Sequence, residues 1–149
     1  MIPATPEITI ICVGVLKDRN LAALTRTYLD RLRHDARIRI HEISDSSPLK
    51  EGEQIARLVE KTGGYSFALS EEGKTYSSRQ FAARISAING NIIFIIGGPS
   101  GLSDRIKNGS RELFSLSPLT FTHEIARMLL CEQLYRACSI LRNRAYHKG

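Results

Sequence analysis

Asn91-Ile92-Ile93-Phe94-Ile95-Ile96-Gly97-Gly98-Pro99-Ser100-Gly101 is the stretch that decides the fold. Its first part is strand-sized and apolar from Ile92 to Ile96, without the alternation of a half-exposed strand. That pattern belongs to a central strand covered on both faces. Its second part is a glycine-rich turn directly after the strand. A strand covered twice needs helices on both sides of its sheet, and the sequence supplies them in both directions.

Upstream, Ser77 and Ser78 can cap a helix that carries Phe81, Ala82, Ile85 and Ile88 and stops at Asn89-Gly90-Asn91. Before it comes a strand at 65–69, followed by a turn at Glu71-Glu72-Gly73-Lys74. Residues 49–62 place Ile55, Leu58 and Val59 on one helical stripe, and Gly63-Gly64 ends it. A strand at 37–43, a helix at 20–32 with Leu21, Leu24, Tyr28, Leu29 and Leu32 on one face, and a β-branched strand at 7–13 ending in Gly14 complete the upstream half. Downstream, a short helix at 102–109, a strand at 113–116 and a long helix at 122–141 follow. Strands and helices therefore alternate. The expectation is an α/β fold with a mostly parallel sheet and helices on both faces. No internal repeat or linker divides the chain, so 1–149 reads as one domain.

The composition fits a globular chain, with 42% hydrophobic and 24% charged residues, and excludes a disordered or collagen-like one. No apolar run reaches the roughly 20 residues of a membrane span. Met1-Ile2-Pro3-Ala4-Thr5-Pro6-Glu7 has neither the basic start nor the apolar stretch of a signal peptide, so the expected location is cytoplasmic. Cys12, Cys131 and Cys138 form no disulfide or metal pattern, and His34, His41, His123 and His147 are scattered. No metal is expected.

Charge is lopsided. Residues 73–149 carry 11 basic side chains against 4 acidic ones, whereas residues 1–72 carry 10 against 11. A basic half attracts polyanions, among them RNA, although a solvated surface gives the same count.

In open α/β sheets ligands bind beyond the carboxyl ends of the strands. Two segments lie there. Gly97-Gly98-Pro99-Ser100-Gly101 is either a plain turn or a loop that offers backbone N–H groups to a ligand. It lacks the lysine of a Walker A loop and the spacing of GxGxxG. Leu116, Ser117, Pro118, Leu119, Thr120 and Phe121 mix apolar walls with hydroxyls, which suits a flat ring such as adenine or an ordinary packed connection. His123-Glu124-Ile125-Ala126-Arg127 lacks the second histidine of a zincin, and no GxSxG is present. The last helix is apolar on more than one side, so it is wholly buried or packs on a second protomer. The chain ends in Arg142-Asn143-Arg144-Ala145-Tyr146-His147-Lys148-Gly149, whose Arg, Tyr and His are suited to hold phosphate, stack on a base and move a proton.

Together, the glycine loop from Ile95 to Ser103, the run from Leu116 to His123, Glu132-Gln133-Leu134-Tyr135-Arg136-Ala137 and Tyr146-His147-Lys148 resemble the ribosomal RNA large subunit methyltransferase H family of the SPOUT superfamily. The resemblance covers nearly the whole chain, with several separate motifs in order. It implies S-adenosylmethionine (SAM) as cofactor and N3 of a pseudouridine in helix 69 of 23S rRNA as target. It implies a trefoil knot from the fourth strand onward and a homodimer. It places the cofactor on Leu69, Gly97, Leu116, Ser117, Pro118, Leu119, Thr120 and Phe121. It sets Tyr146 and His147 near the methyl group in the neighbouring protomer's site.

On that resemblance, His147 is the candidate proton acceptor, Tyr146 would stack on or orient the base, and Arg142 would hold a phosphate. One departure stands out: the family's acidic residue after the leucine of the third strand is Ser70 here. A small enzyme without an RNA-binding module is expected to act on assembled 70S ribosomes. The rival readings are a nucleotide-binding α/β protein and a ribosome-associated RNA-binding factor with a knot fold and no turnover.

Overall fold

The structure is a computed structural model and describes residues 5–149. Met1, Ile2, Pro3 and Ala4, on which the signal-peptide reading partly rests, lie outside the described residues.

Five strands and five helices alternate: β1 (Glu7–Val13), α1 (Arg19–Leu32), β2 (Arg37–Ile43), α2 (Pro48–Thr62), β3 (Tyr65–Lys74), α3 (Ser78–Ala87), β4 (Asn91–Ile96), α4 (Asp104–Gly109), β5 (Glu112–Phe114) and α5 (His123–Leu141). All strand pairs are parallel, in the order β2-β1-β4-β3-β5. The apolar strand β4 is the middle one, as its sequence requires.

Alternation along β4 divides the core. Ile92, Phe94 and Ile96 point to one face, where α1, α3 and α5 supply Leu29, Leu32, Phe81, Ile85, Leu130 and Leu134. Ile93 and Ile95 point to the other, under α2 and α4 with Ile55 and Ile106. Phe94 is fully buried and its ring stacks on Phe67 at 5.0 Å between centroids. Burying one such side chain contributes about 1.5–3 kcal/mol.

Helix starts follow side-chain chemistry. Asp18, Ser47, Ser77, Ser103 and Thr122 each accept from backbone N–H groups of the first turn. Ser77 and Gln80 form a reciprocal capping box, which fixes where α3 begins. The cap at Ser103 likewise starts α4 at Asp104, two residues later than the apolar spacing suggested, and leaves Leu102 buried beneath it.

Two boundaries differ from expectation in a way that shapes the site. Residues 71–74 are not a turn but the end of β3, because Lys74 pairs with Phe114 across a register irregularity. Gly73 is required there: a Cβ would lie 2.6 Å from the backbone of Leu113 and Phe114. The strand expected at 113–116 closes early, at Phe114, since the Ser115 hydroxyl donates to the Ser117 carbonyl at 2.7 Å and bends the chain. Leu116 thereby leaves the sheet.

Candidate functional site

A cleft of about 330 Å³ opens beyond the carboxyl ends of β3 and β4. Parallel strands all point their last residues to this edge, so the loops that follow them converge. Leu69 and Gly97 line it, with Leu116, Ser117, Leu119, Thr120 and Phe121 on the opposite wall. Seven of the eight residues expected around a cofactor thus meet in one place, although they come from three distant segments. Pro118 is absent from the lining.

The floor is backbone. Gly98 and Gly101 form a tight bridge, the Gly101 N–H donating to the Gly98 carbonyl at 2.9 Å. A Cβ on Gly97 would come 2.7 Å from the Gly101 carbonyl carbon, and one on Gly98 would come 2.9 Å from Val13 Cγ1. Gly101 adopts φ 77°, which a side chain resists. Three glycines are needed for the turn to fold flat against β1 and leave space above it.

The structure adds groups that the motif reading did not assign. Ser70 and Glu71 line the cleft together, so a carboxylate stands one residue past the position where the family pattern places it. Lys107 of α4 also faces the cleft and reaches Glu72 at 3.2 Å. His123, at the first turn of α5, is the one imidazole among the described lining residues. Its Nε2 would lie 3.8 Å from a Cβ on Gly14, a residue at φ 84°. The next residue ties this corner down: Glu124 accepts from the N–H groups of Lys17 at 2.8 Å and Asp18 at 3.0 Å. The Asp18 N–H, opposed by desolvation and helped by Lys17, holds the Glu124 carboxyl below its usual range. No sequence pattern marks the Glu124 contacts, because they join residues 107 and 106 positions apart.

The carboxyl-terminal candidates lie elsewhere in this chain. Asn143, at φ 55°, reverses the backbone after α5, and the tail runs back along the helix. The Tyr146 hydroxyl donates to Glu132 Oε2 at 2.7 Å, and its ring sits edge-on to Tyr135 at 4.7 Å. His147 Nδ1 lies 3.1 Å from a guanidinium nitrogen of Arg136. Arg142 forms an ion pair with Asp35 at 3.1 Å, and Arg144 donates to the same carboxylate through two 2.6 Å hydrogen bonds. Asp35 is buried. One carboxylate thus faces two guanidiniums, and one positive charge stays uncompensated. None of these tail residues lines the cleft of its own chain.

The sheet's far edge carries a separate network. Glu112 accepts from Tyr65 at 2.8 Å, from Arg84 at 2.7 Å and from Tyr76. It joins β5 to β3 and α3 and takes no part in the cleft. The three cysteines are free and buried. Among the described residues no helix is long and apolar enough to cross a membrane.

Comparison with known proteins agrees with this geometry. Residues 7–147 match a family model described as "Predicted SPOUT methyltransferase". A ribosomal RNA large subunit methyltransferase H of Prochlorococcus marinus (strain NATL2A) is 42% identical over 140 residues, covering 93% of this chain and 94% of the relative. The same-named protein of Dictyoglomus thermophilum is 36% identical over 151 residues, covering 95% and 99%. Among solved structures, a probable methylase family protein from Haemophilus influenzae matches with a TM-score of 0.62 at 16% identity, covering 95% of this chain and 70% of that one. A putative methyltransferase from Legionella pneumophila, solved with bound SAM, matches with a TM-score of 0.52 at 12% identity, covering 87% and 65%. At these identities the solved structures speak for the fold alone. The curated relatives and the family model speak for more: the chain belongs to the SPOUT methyltransferases, and among them to the ribosomal RNA large subunit methyltransferase H family.

Proposed function

We propose that this chain, a single cytoplasmic domain, transfers a methyl group from SAM to N3 of a pseudouridine in helix 69 of 23S rRNA, on the assembled 70S ribosome. The observation that carries the reading is the meeting of Leu69, Gly97, Leu116, Ser117, Leu119, Thr120 and Phe121 around one cleft at the carboxyl ends of parallel strands.

The cleft suits the cofactor. Its volume falls in the usual range of ligand pockets, about 300–1,000 Å³. Leu69, Leu116 and Phe121 offer apolar surface to a flat ring, while the glycine turn brings backbone polar groups to the cleft. Glu71 supplies a negative charge beside a ligand that carries positive ones. When bound, SAM supplies a methyl group on a cationic sulfur, which departs as a neutral thioether with the C–S electron pair.

The chain's residues then have to align the base and exclude water. The resemblance ties the carboxyl-terminal part, from β4 onward, into a trefoil knot and pairs two chains as a homodimer. In that arrangement Tyr146, His147 and Arg142 of one protomer complete the cleft of the other. Tyr146 orients the base, and the charge left over at Arg142, Arg144 and Asp35 meets a phosphate. The basic residues of the second half face the RNA.

The test starts with calorimetry of purified protein against SAM, with ATP and NAD as controls. SAM binding with both controls silent supports the reading. Radiolabelled methyl transfer to 70S particles, compared with naked 23S rRNA and mapped by mass spectrometry, then tests the target. Equal labelling of naked rRNA overturns the ribosome requirement, and a methyl group elsewhere overturns the site.

A further inference from the structure

We propose that His147 acts as a hydrogen-bond donor, held as its Nε2–H tautomer by Arg136, and stabilises negative charge on the target base instead of accepting its proton. The proposal rests on the functional reading above, which brings the tail to the base.

The contact between Arg136 and Nδ1 of His147, at 3.1 Å, is the starting point. A guanidinium has donors and no acceptor. Nδ1 must therefore accept, so it carries no hydrogen, and the ring hydrogen of the neutral imidazole sits on Nε2. Protonating the ring would set an N–H against a guanidinium N–H. Arg136 is not free to turn away: Glu132 Oε2 accepts from it at 2.8 Å. That hydrogen bond, against desolvation, raises the Arg136 pKa further.

Tyr146 is committed in the same way. Its hydroxyl donates to the same Glu132 oxygen at 2.7 Å. Burial, then the hydrogen bonds with Tyr28 and Glu132, push its phenol well above the ordinary value. Neither tail residue offers an accessible basic lone pair. The charged and titratable groups around the imidazole are Arg136 and Glu132 of α5, Tyr146 and Lys148 beside it in sequence, Tyr28 of α1 behind Tyr146, and Arg79 of α3. Arg79 holds the Gly149 carbonyl oxygen at 3.0 Å. Gly149 lies beside the Nε2 edge, where a Cβ on it would stand 3.7 Å from Nε2. Its contact with Arg79 is exposed.

An imide that loses its N3 hydrogen spreads the negative charge over N3 and the two flanking carbonyl oxygens. A fixed N–H aimed at one of those oxygens, backed by a guanidinium, favours the anion as an oxyanion site does. The proton goes to water, and the N3 lone pair is left free. Removing one such donor costs about 100- to 1,000-fold in turnover.

Two measurements test this. Long-range ¹H–¹⁵N NMR of labelled wild-type protein between pH 7 and 8 reads the tautomer directly. A bare Nδ1 and a protonated Nε2 are expected, whereas an Nδ1–H tautomer or an imidazolium overturns the proposal. Methyl transfer by His147→Gln and His147→Ala reads the role. Glutamine keeps an N–H donor but cannot take a proton near neutral pH. It should keep at least a tenth of the wild-type rate, while alanine loses about 100-fold or more. The wild-type rate should keep climbing above pH 7.5, because the ionising group is the N3–H of the base and not a protein base. Glutamine as inactive as alanine, or a plateau at that pH, overturns the proposal. A wild-type protein that methylates no ribosome sinks the functional reading, and the spectrum still decides the tautomer on its own.

Discussion

Gly97 lies so close to Gly101 that a Cβ on it would stand 2.7 Å from the Gly101 carbonyl carbon. The Gly101 carbon is main chain and a Cβ is fixed by its own backbone, so neither can swing aside as the far end of a side chain would. Gly97→Ala must therefore push the two ends of the glycine turn apart and reshape the cleft that both line. SAM affinity should fall at least tenfold by calorimetry, with a stability loss of about 1–3 kcal/mol, the usual range for overpacking. Unchanged affinity would mean that the loop is not part of the cofactor floor.

The tail depends on Asp35. Removing a buried carboxylate leaves Arg142 and Arg144 facing each other without their anion. Breaking a buried pair costs about 3–5 kcal/mol. Arg144 is 40% exposed, which lowers the expectation for Asp35→Ala to about 2–3 kcal/mol. Chemical denaturation measures it, and limited proteolysis should cut the tail after Arg142 or Arg144 faster than in wild type.

Glu112 predicts a pH dependence. Burial alone would raise its pKa, but hydrogen bonds from Tyr76, Tyr65 and Arg84 together outweigh that and lower it from 4.5. A carboxylate with a lowered folded pKa stabilises the fold fully above its unfolded value. That stability is lost as pH falls through the folded one. Wild-type melting temperature should therefore drop as pH falls below about 4.3, and Glu112→Gln should drop less over the same range while starting lower at pH 7. The same burial and the Glu112 contact push the Tyr76 phenol up to about 12, so it stays neutral throughout.

The cysteines should be inert. Burial pushes the thiols of Cys12 and Cys138 up to about 11 and that of Cys131 up to about 12. The thiolate is the reactive form. A disulfide reagent at pH 8 should modify none of the three in folded protein and all three in denaturant. Rapid labelling of the native state would contradict the packing of α5 against β1.

The fold was largely legible because Ile92 to Ile96 admit only one placement, in the middle of a sheet covered twice. Gly14, Gly63-Gly64 and the cap at Ser77 marked several element ends by local chemistry. What failed was long-range. Glu71 to Lys74 look like a turn in isolation, and only pairing with Phe114 keeps them extended. The early close of β5 is the local exception: it goes with the Ser115 hydroxyl reaching the Ser117 carbonyl two residues on, a contact that no propensity encodes. In the site, Leu69, Gly97 and the 116–121 segment were within reach of sequence because they carry a family's motifs. Glu71, Lys107 and His123 were not, since their place in the cleft follows from packing between distant elements.

The reversal at Asn143 sets a limit on a lone chain. It brings Tyr146 back only as far as Glu132, six residues along α5 from Ala126 at the cleft. At 1.5 Å per residue that leaves about 9 Å along the helix between the tail's tyrosine anchor and the nearest cleft residue of α5. If the tail serves the reaction, it serves a site on another molecule. The rate per chain would then fall on dilution through the dissociation range. Mixing a protein defective in the glycine loop with one defective in the tail would restore up to one intact site in each mixed pair.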